Sequence, residues 1–228
     1  YQWEPSTLSL GYRQAPESVD WDACEQAGID VIRRNTGGGG IYHDTYGDIS
    51  YSIIAPADEV PGDLMETYER FCQPLFDAFD ALGVDAHFAR EDQPAIHEPA
   101  CYLRALHPAH DIVAGDGRKL SGNAQYRRKD AVIQHGSISF RSDPERHLRC
   151  FAEDVSPTEF EGRVTSIEEL RPELSRSDVV AALEAALAEW AGAEAGEWSD
   201  DEVRFAEQRA REKYGSEAWT RHRDDPTA

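Results

Sequence analysis

The chain has 228 residues, 40% of them hydrophobic, and a net charge of −21 at pH 7. It is long enough to bury a core, but it lacks the clustered Lys and Arg that hold a nucleic-acid backbone or an anionic membrane surface, so neither is expected as a partner. Lys119, Lys129 and Lys213 are its only lysines; such a carboxylate-rich, lysine-poor chain suits a salt-adapted (halophilic) protein, whose self-repulsion strong salt screens.

Residues 7–12 (TLSLGY) read as a strand running into a glycine turn. Residues 20–27 read as a short helix stopped by Gly28, and 30–33 as a strand. A four-glycine loop follows at 37–40, then strands at 41–42 and 49–55 around a turn at 46–48. Over 63–82, Leu64, Tyr68, Phe71, Leu75, Phe79 and Leu82 recur at helical spacing, which predicts a long helix ended by Gly83. A strand at 84–88 leads into a Pro- and His-rich loop at 90–109. Residues 111–114 and 119–125 read as a strand pair about a Gly-Asp-Gly turn, and 132–140 as a further strand. Residues 144–151 read as a helix, 154–162 as a linker, and 166–170, 177–191 and 199–214 as helices, the last opened by a capping box at Ser199 and Glu202. Strands and helices mixed in this way predict an α+β fold with helices gathered at the C-terminal end.

Three segments carry candidate chemistry. In RRNTGGGGIYHD (33–44), four successive glycines are costly to order. A plain turn does not need them, whereas bare backbone N–H groups can approach a ligand and cradle an anion. Arg33 and Arg34 could neutralise a phosphate or carboxylate beside that loop. The pattern is neither a phosphate loop nor a dinucleotide fingerprint. In GRKLSGNAQ (117–125), Lys119 could polarise an acyl carbonyl or neutralise a developing oxyanion. In QHGSISF (134–140), His135 and Ser137 share one face of a strand, and Gly136 permits close approach. Each segment also has a bland reading, as a flexible hairpin, a solvated lysine or a hydrogen-bonded core pair. The cysteines Cys24, Cys72, Cys101 and Cys150 form no C-x-x-C pair and no zinc spacing, so no metal site is read from them. With no signal peptide and no apolar run of about 18 residues, a cytoplasmic chain with reduced thiols is expected.

Taken together, the three segments resemble the lipoate-protein ligase A family, within the biotin/lipoate protein ligase superfamily, in sequence, order and separation. The resemblance implies a mixed or antiparallel sheet with packed helices, and an enzyme that loads a medium-chain acid onto a lysine of a lipoyl domain. It implies a catalytic domain over 1–160 and a short helical C-terminal segment over 161–228. Carried over by position, Arg34, Thr36, Gly37, Gly38 and Gly39 hold the acyl carbonyl end or an adenylate phosphate. His43 lines the acyl site, Lys119 contacts the carbonyl, and Gly122, Ala124, His135 and Ser137 complete the substrate-binding wall. The implied acceptors are the E2 lipoyl domains of 2-oxoacid dehydrogenases and the glycine cleavage H protein; the implied donor is acyl carrier protein or free lipoate.

Two chemistries occur in that superfamily. A ligase uses ATP and Mg2+ to make a lipoyl-adenylate. A transferase needs no cofactor and holds octanoyl as a cysteine thioester. HEPACY (97–102) followed by HDIV (110–113) resembles the segment that carries the nucleophile in the cysteine-dependent octanoyltransferases of the ligase-like branch, which implies Cys101 as nucleophile; Lys119 is the second catalytic candidate, whose charge would lower the thiol pKa if the fold brings the two together. The other cysteines read as core residues. The family starts further upstream than Tyr1, with a strand and a helix, so the N-terminal portion is expected to be missing, leaving a sheet edge and apolar surface open. A non-catalytic acyl- or lipoyl-domain-binding protein is the alternative of a different class.

Overall fold

The computed structural model describes residues 1–60, 62–107 and 110–227; Pro108 and Ala109, at the end of the loop predicted over 90–109, lie outside the described residues. The chain opens with a three-stranded sheet in which β1 (Thr7–Leu10) lies between β2 (Asp30–Arg33), to which it is parallel, and β3 (Ile41–His43), to which it is antiparallel. Parallel neighbours need a crossover, and α1 (Trp21–Gln26) lies in it. The Asp20 carboxylate caps α1 by accepting from the Ala23 N–H at 2.9 Å, and Gly28 leaves it at φ 65°.

A second sheet is antiparallel throughout. It comprises β4 (Asp48–Pro56), β5 (Ala86–Phe88), β6 (Asp111–Ala114), β7 (Lys119–Arg127) and β8 (Ala131–Ser139), in the order β4-β8-β7-β6-β5. The helix α2 (Leu64–Ala81) precedes β5 and starts at an Asp63–Glu66 capping box. Its apolar stripe, including Cys72, Leu75, Ala78 and Phe79, forms one core with Ile49, Ile112, Leu120 and Ile138 of the sheet. After β8 come α3 (Pro144–Leu148), α4 (Pro157–Arg163), α5 (Ile167–Leu170), α6 (Arg176–Ala191) and α7 (Asp200–Arg209), then π-helical turns at Ala210–Tyr214 and Ala218–His222. Packed against α2, α6 adds Val179 and Leu183 to that core, and α5 adds Ile167. A second core joins Leu8, Leu10, Ile41 and Tyr42 of the small sheet to Tyr102, Leu103, Phe151 and Phe160. Among the described residues no helix is long and apolar enough to cross a membrane.

Several local expectations need correction. The strands flanking the 46–48 turn do not pair: β3 and β4 belong to different sheets. The Asp44 carboxylate accepts from the Tyr46 and Gly47 N–H groups at 3.0 and 2.8 Å, and this turn carries the chain from one sheet to the other. The stretch read as a linker over 154–162 contains α4, which a Ser156–Glu159 capping box and Pro157 start and which buries Phe160. The predicted helix over 144–151 is shorter, and α6 starts one residue before the predicted 177, capped by Ser175.

Candidate active site

A cavity opens between the two sheets, lined by Arg34, Gly37, Gly38, Ile41 and His43 from the small-sheet side and by Lys119, Gly122, Asn123, Ala124, His135, Gly136 and Ser137 from β7 and β8. Cys101, Arg104, His110 and Asp111 complete its rim.

The glycine wall is tied by carbonyl groups. Arg34 turns its guanidinium back on its own loop, donating to Ser9 O at 2.5 Å, Gly37 O at 2.6 Å and Gly39 O at 2.8 Å, and through Nε to Thr36 Oγ1 at 3.0 Å. Thr36 Oγ1 stands 2.8 Å from His135 Nε2, so the loop is pinned to β8. Burial, followed by the charges of Arg34 and His43, lowers the His135 pKa to about 4, and the imidazole is neutral near pH 7. The loop also needs empty space beneath it: a Cβ on Gly11 would stand 1.9 Å from Gly38 O. Gly38 itself adopts φ 94°, where a side chain is strained.

The loop's far end positions Cys101. Gly40 N–H donates to Pro99 O, and Cys101 N–H donates to Gly40 O, both at 2.7 Å. A Cβ on Gly39 would meet Pro99 O at 2.7 Å, so glycine is required where the two segments cross. Cys101 opens the 3-10 turn Cys101–Leu103 and is partly exposed, whereas Cys24, Cys72 and Cys150 are buried.

The opposite wall is the β6–β7 hairpin, and it holds an ion pair. Lys119 Nζ lies 2.8 Å from Asp111 Oδ1 and donates to Cys101 O at 3.1 Å. Burial acts against the ammonium, but the Asp111 and Cys101 charges outweigh it and hold the Lys119 pKa above the usual lysine range. For Asp111 burial acts upward, and the Lys119 and His110 charges overcome it, leaving the carboxyl well below the ordinary range. Gly122 is close to both the cation and the thiol: a Cβ there would stand 3.6 Å from Lys119 Nζ and 3.7 Å from Cys101 Sγ. The cavity therefore brings a partly exposed thiol and a buried ammonium close to one bare backbone position, where a carbonyl group can approach both.

Behind the cavity, His43 Nδ1 is 3.0 Å from Asp48 Oδ2, and its ring stacks on Trp3 at 4.2 Å. Asp48 also accepts from the hydroxyls of Ser50, at 2.7 Å, and Ser137, which in turn meets Tyr102 OH at 3.1 Å. Gly136 has no side chain because Asn123 Oδ1 and the Tyr51 ring occupy that space, 2.2 and 2.5 Å from where a Cβ would be; Tyr51 OH donates to Asn123 at 2.6 Å.

The structure thus brings Arg34, Gly37, Gly38, His43, Cys101, Lys119, Gly122, Ala124, His135 and Ser137 to one cavity, with Thr36 joined to it through His135. Gly39 faces an adjoining groove with Arg13, Asn35 and Arg104. Arg33 does not join them. It is fully buried on the other side of β2, donating to Gly11 O and Gln14 O at 2.8 Å and to Thr220 O at 2.8 Å. Trp219 Nε1 donates to Arg33 O at 2.8 Å. Arg33 therefore fastens the C-terminal turn and is not placed to neutralise a ligand. Residues that the sequence reading overlooked are Asp111, Asp48 and Asn123. Asp111 had a usable signal, an acid at the head of the apolar run Ile112–Val113. Among the described residues no group of three or more His, Cys, Asp or Glu gathers as a metal-ligating cluster.

The family model described as lipoyl protein ligase A/B catalytic domain matches residues 1–188. The chain is 34% identical over 234 residues to the octanoyltransferase LipM of Kyrpidia tusciae, covering 96% of this chain and 84% of that protein. It is 29% identical over 243 residues to the octanoyltransferase LipM of Bacillus subtilis (strain 168), with the same coverage. A crystal structure of lipoate-protein ligase A bound with ATP superposes with TM-score 0.78 at 24% identity, covering 97% of this chain and 88% of that one. The bi-partite lipoate protein ligase of Thermoplasma acidophilum superposes with TM-score 0.75 at 22% identity, covering 95% and 80%. At these identities the structural likenesses establish the fold.

Proposed function

Because the chain belongs to the lipoyl protein ligase A/B catalytic domain family, we propose that it is an acyltransferase that moves an octanoyl group to a lysine of a lipoyl domain through a thioester on Cys101. The observation that carries this reading is the presence of a partly exposed thiol and a buried ammonium, both close to Gly122, in one cavity. In the first half-reaction the Cys101 thiolate attacks the thioester carbonyl of an octanoyl carrier. The Lys119 ammonium stabilises the oxyanion, the carrier's thiolate leaves and takes up a proton, and octanoyl remains on Sγ. In the second, the neutral amine of the acceptor lysine attacks that thioester, loses a proton, and the Cys101 thiolate departs as the amide forms. Arg34, Thr36, Gly37, Gly38 and Gly39 shape the head-group side, and His43, Gly122, Ala124, His135 and Ser137 form the remaining wall.

The acceptors are lipoyl-domain proteins, with E2 subunits and the glycine cleavage H protein as the specific candidates, and the donor is an octanoyl carrier protein. This transfer needs no cofactor, and we place it in the cytoplasm. The excess of carboxylates fits a salt-adapted protein, whose stability rises with added salt as repulsion is screened. Intact-mass analysis after mixing with octanoyl carrier protein tests the mechanism. One octanoyl is expected on the wild-type chain and none on Cys101→Ser. Lipoylation from free lipoate, ATP and Mg2+ that survives Cys101→Ser overturns it in favour of a ligase.

A further inference from the structure

The Lys119 ammonium is set by a single carboxylate. Asp111 Oδ1 holds Nζ at 2.8 Å with both side chains 3% exposed. The other carboxylate oxygen is itself fixed, accepting the His107 backbone N–H at 2.9 Å. The pair bridges β6 and β7 immediately beside Cys101, whose carbonyl takes the remaining contact at 3.1 Å. A buried ion pair generally adds little net stability, because desolvation cancels most of the attraction. Its place on the cavity wall, using one of only three lysines in the chain, points to a role in the reaction.

We propose that Asp111 is a positioning residue for acyl transfer: it fixes Lys119 Nζ beside Cys101 and keeps it a cation through the cycle, so that Lys119 serves as a permanent electrophilic charge and never as the proton carrier. This rests on the transferase reading above. The proton lost by the acceptor amine then leaves by a route other than Lys119. The groups facing Nζ are Asp111 on β6, Cys101 and the Tyr102 ring (5.6 Å to its centroid) on the 3-10 turn, and the Arg163 charge from α4. His110 stands behind, 3.6 Å from Asp111. Of these only Asp111 and Cys101 favour the ammonium, while burial and Arg163 oppose it, so removing the Asp111 charge must shift the balance toward the neutral amine.

The test uses the full chain labelled with 15N-lysine, in which Lys119, Lys129 and Lys213 are the only reporters. In the wild type the Lys119 signal stays that of an ammonium beyond the ordinary lysine value of about 10.4. Asp111→Asn moves its titration down by about one pH unit or more. That variant also loses roughly 10²-fold in kcat, with the KM for octanoyl carrier changed less than about threefold. Asp111→Glu, which restores the charge, recovers part of both. Lys119 losing its proton at or below the ordinary value in the wild type overturns the proposal, as does Asp111→Asn with kcat within about twofold of wild type. If Asp111→Asn does not fold, the wild-type titration and Asp111→Glu decide. A wild type that transfers no octanoyl defeats the function proposed above, and the lysine titration still decides the anchoring.

Discussion

The two walls of the cavity are held by different physics. On the glycine side, Arg34 is satisfied by neutral carbonyls of Ser9, Gly37 and Gly39 and by a hydroxyl; its charge organises a loop. On the hairpin side, Lys119 is satisfied by the full charge of Asp111; its own charge stays beside the thiol. Each wall carries one cation: the charge of Arg34 is spread over a planar fork held by loop dipoles, whereas that of Lys119 is a compact ammonium held near the thiol against its own counter-charge. Under the proposed transfer, the first wall holds the acyl head group and the second faces the developing oxyanion.

Substitutions at the two walls should therefore fail in different ways. The largest effect is expected for Lys119→Met. Losing the cation should lower kcat by about 10²–10³-fold, and the Asp111 carboxylate left buried without its partner should cost about 3–5 kcal/mol. Octanoyl-transfer kinetics and urea unfolding measure the two losses, and wild-type turnover in this variant would erase the distinction between the walls. A smaller effect is expected for Arg34→Lys, since an ammonium cannot span the carbonyls that a planar fork reaches. Loosening the loop should cost about 1–2 kcal/mol and raise KM for the donor several-fold, with kcat affected less. A kcat loss comparable to that of Lys119→Met would place Arg34 in the chemistry instead.

Acid should also separate the walls. His135 has a pKa of about 4 in the folded chain against about 6.5 unfolded. Below pH 6.5 the unfolded chain therefore takes up a proton that the folded chain refuses, and stability falls as pH drops from about 6.5 to about 4, by of order 2 kcal/mol. Asp111 is lowered from its ordinary value, so its contribution is present above the unfolded value of about 3.9 and is lost only as pH falls below it. The glycine wall should thus weaken first. Urea midpoints measured across pH 4 to 7 should show a shallower slope for His135→Gln; an unchanged slope would remove His135 as the source.

Much of this was legible in the chain itself. Apolar spacing and the Gly83 stop located α2 to within a residue at each end, and the Gly-Asp-Gly turn announced the β6–β7 hairpin. Three short segments held most of the cavity residues; glycine runs and a rare lysine drew notice by residue type, but the roles came from the resemblance to a known family. The helix α4 was missed although its Ser156–Pro157–Glu159 start is local, since the apolar stripe following it amounts to little beyond Phe160.

Local periodicity and residue chemistry were enough to determine most elements and the α+β class, and motif resemblance pointed to most residues of the cavity. Only the tertiary structure decided that β3 and β4 part into different sheets, that Arg33 and Arg34, adjacent in sequence, serve different parts of the molecule, and that Asp111 is the counter-charge of Lys119. Those outcomes depend on which distant groups come within hydrogen-bonding range once both cores are packed, and a side chain's partner is set by that assembly, not by its neighbours along the chain.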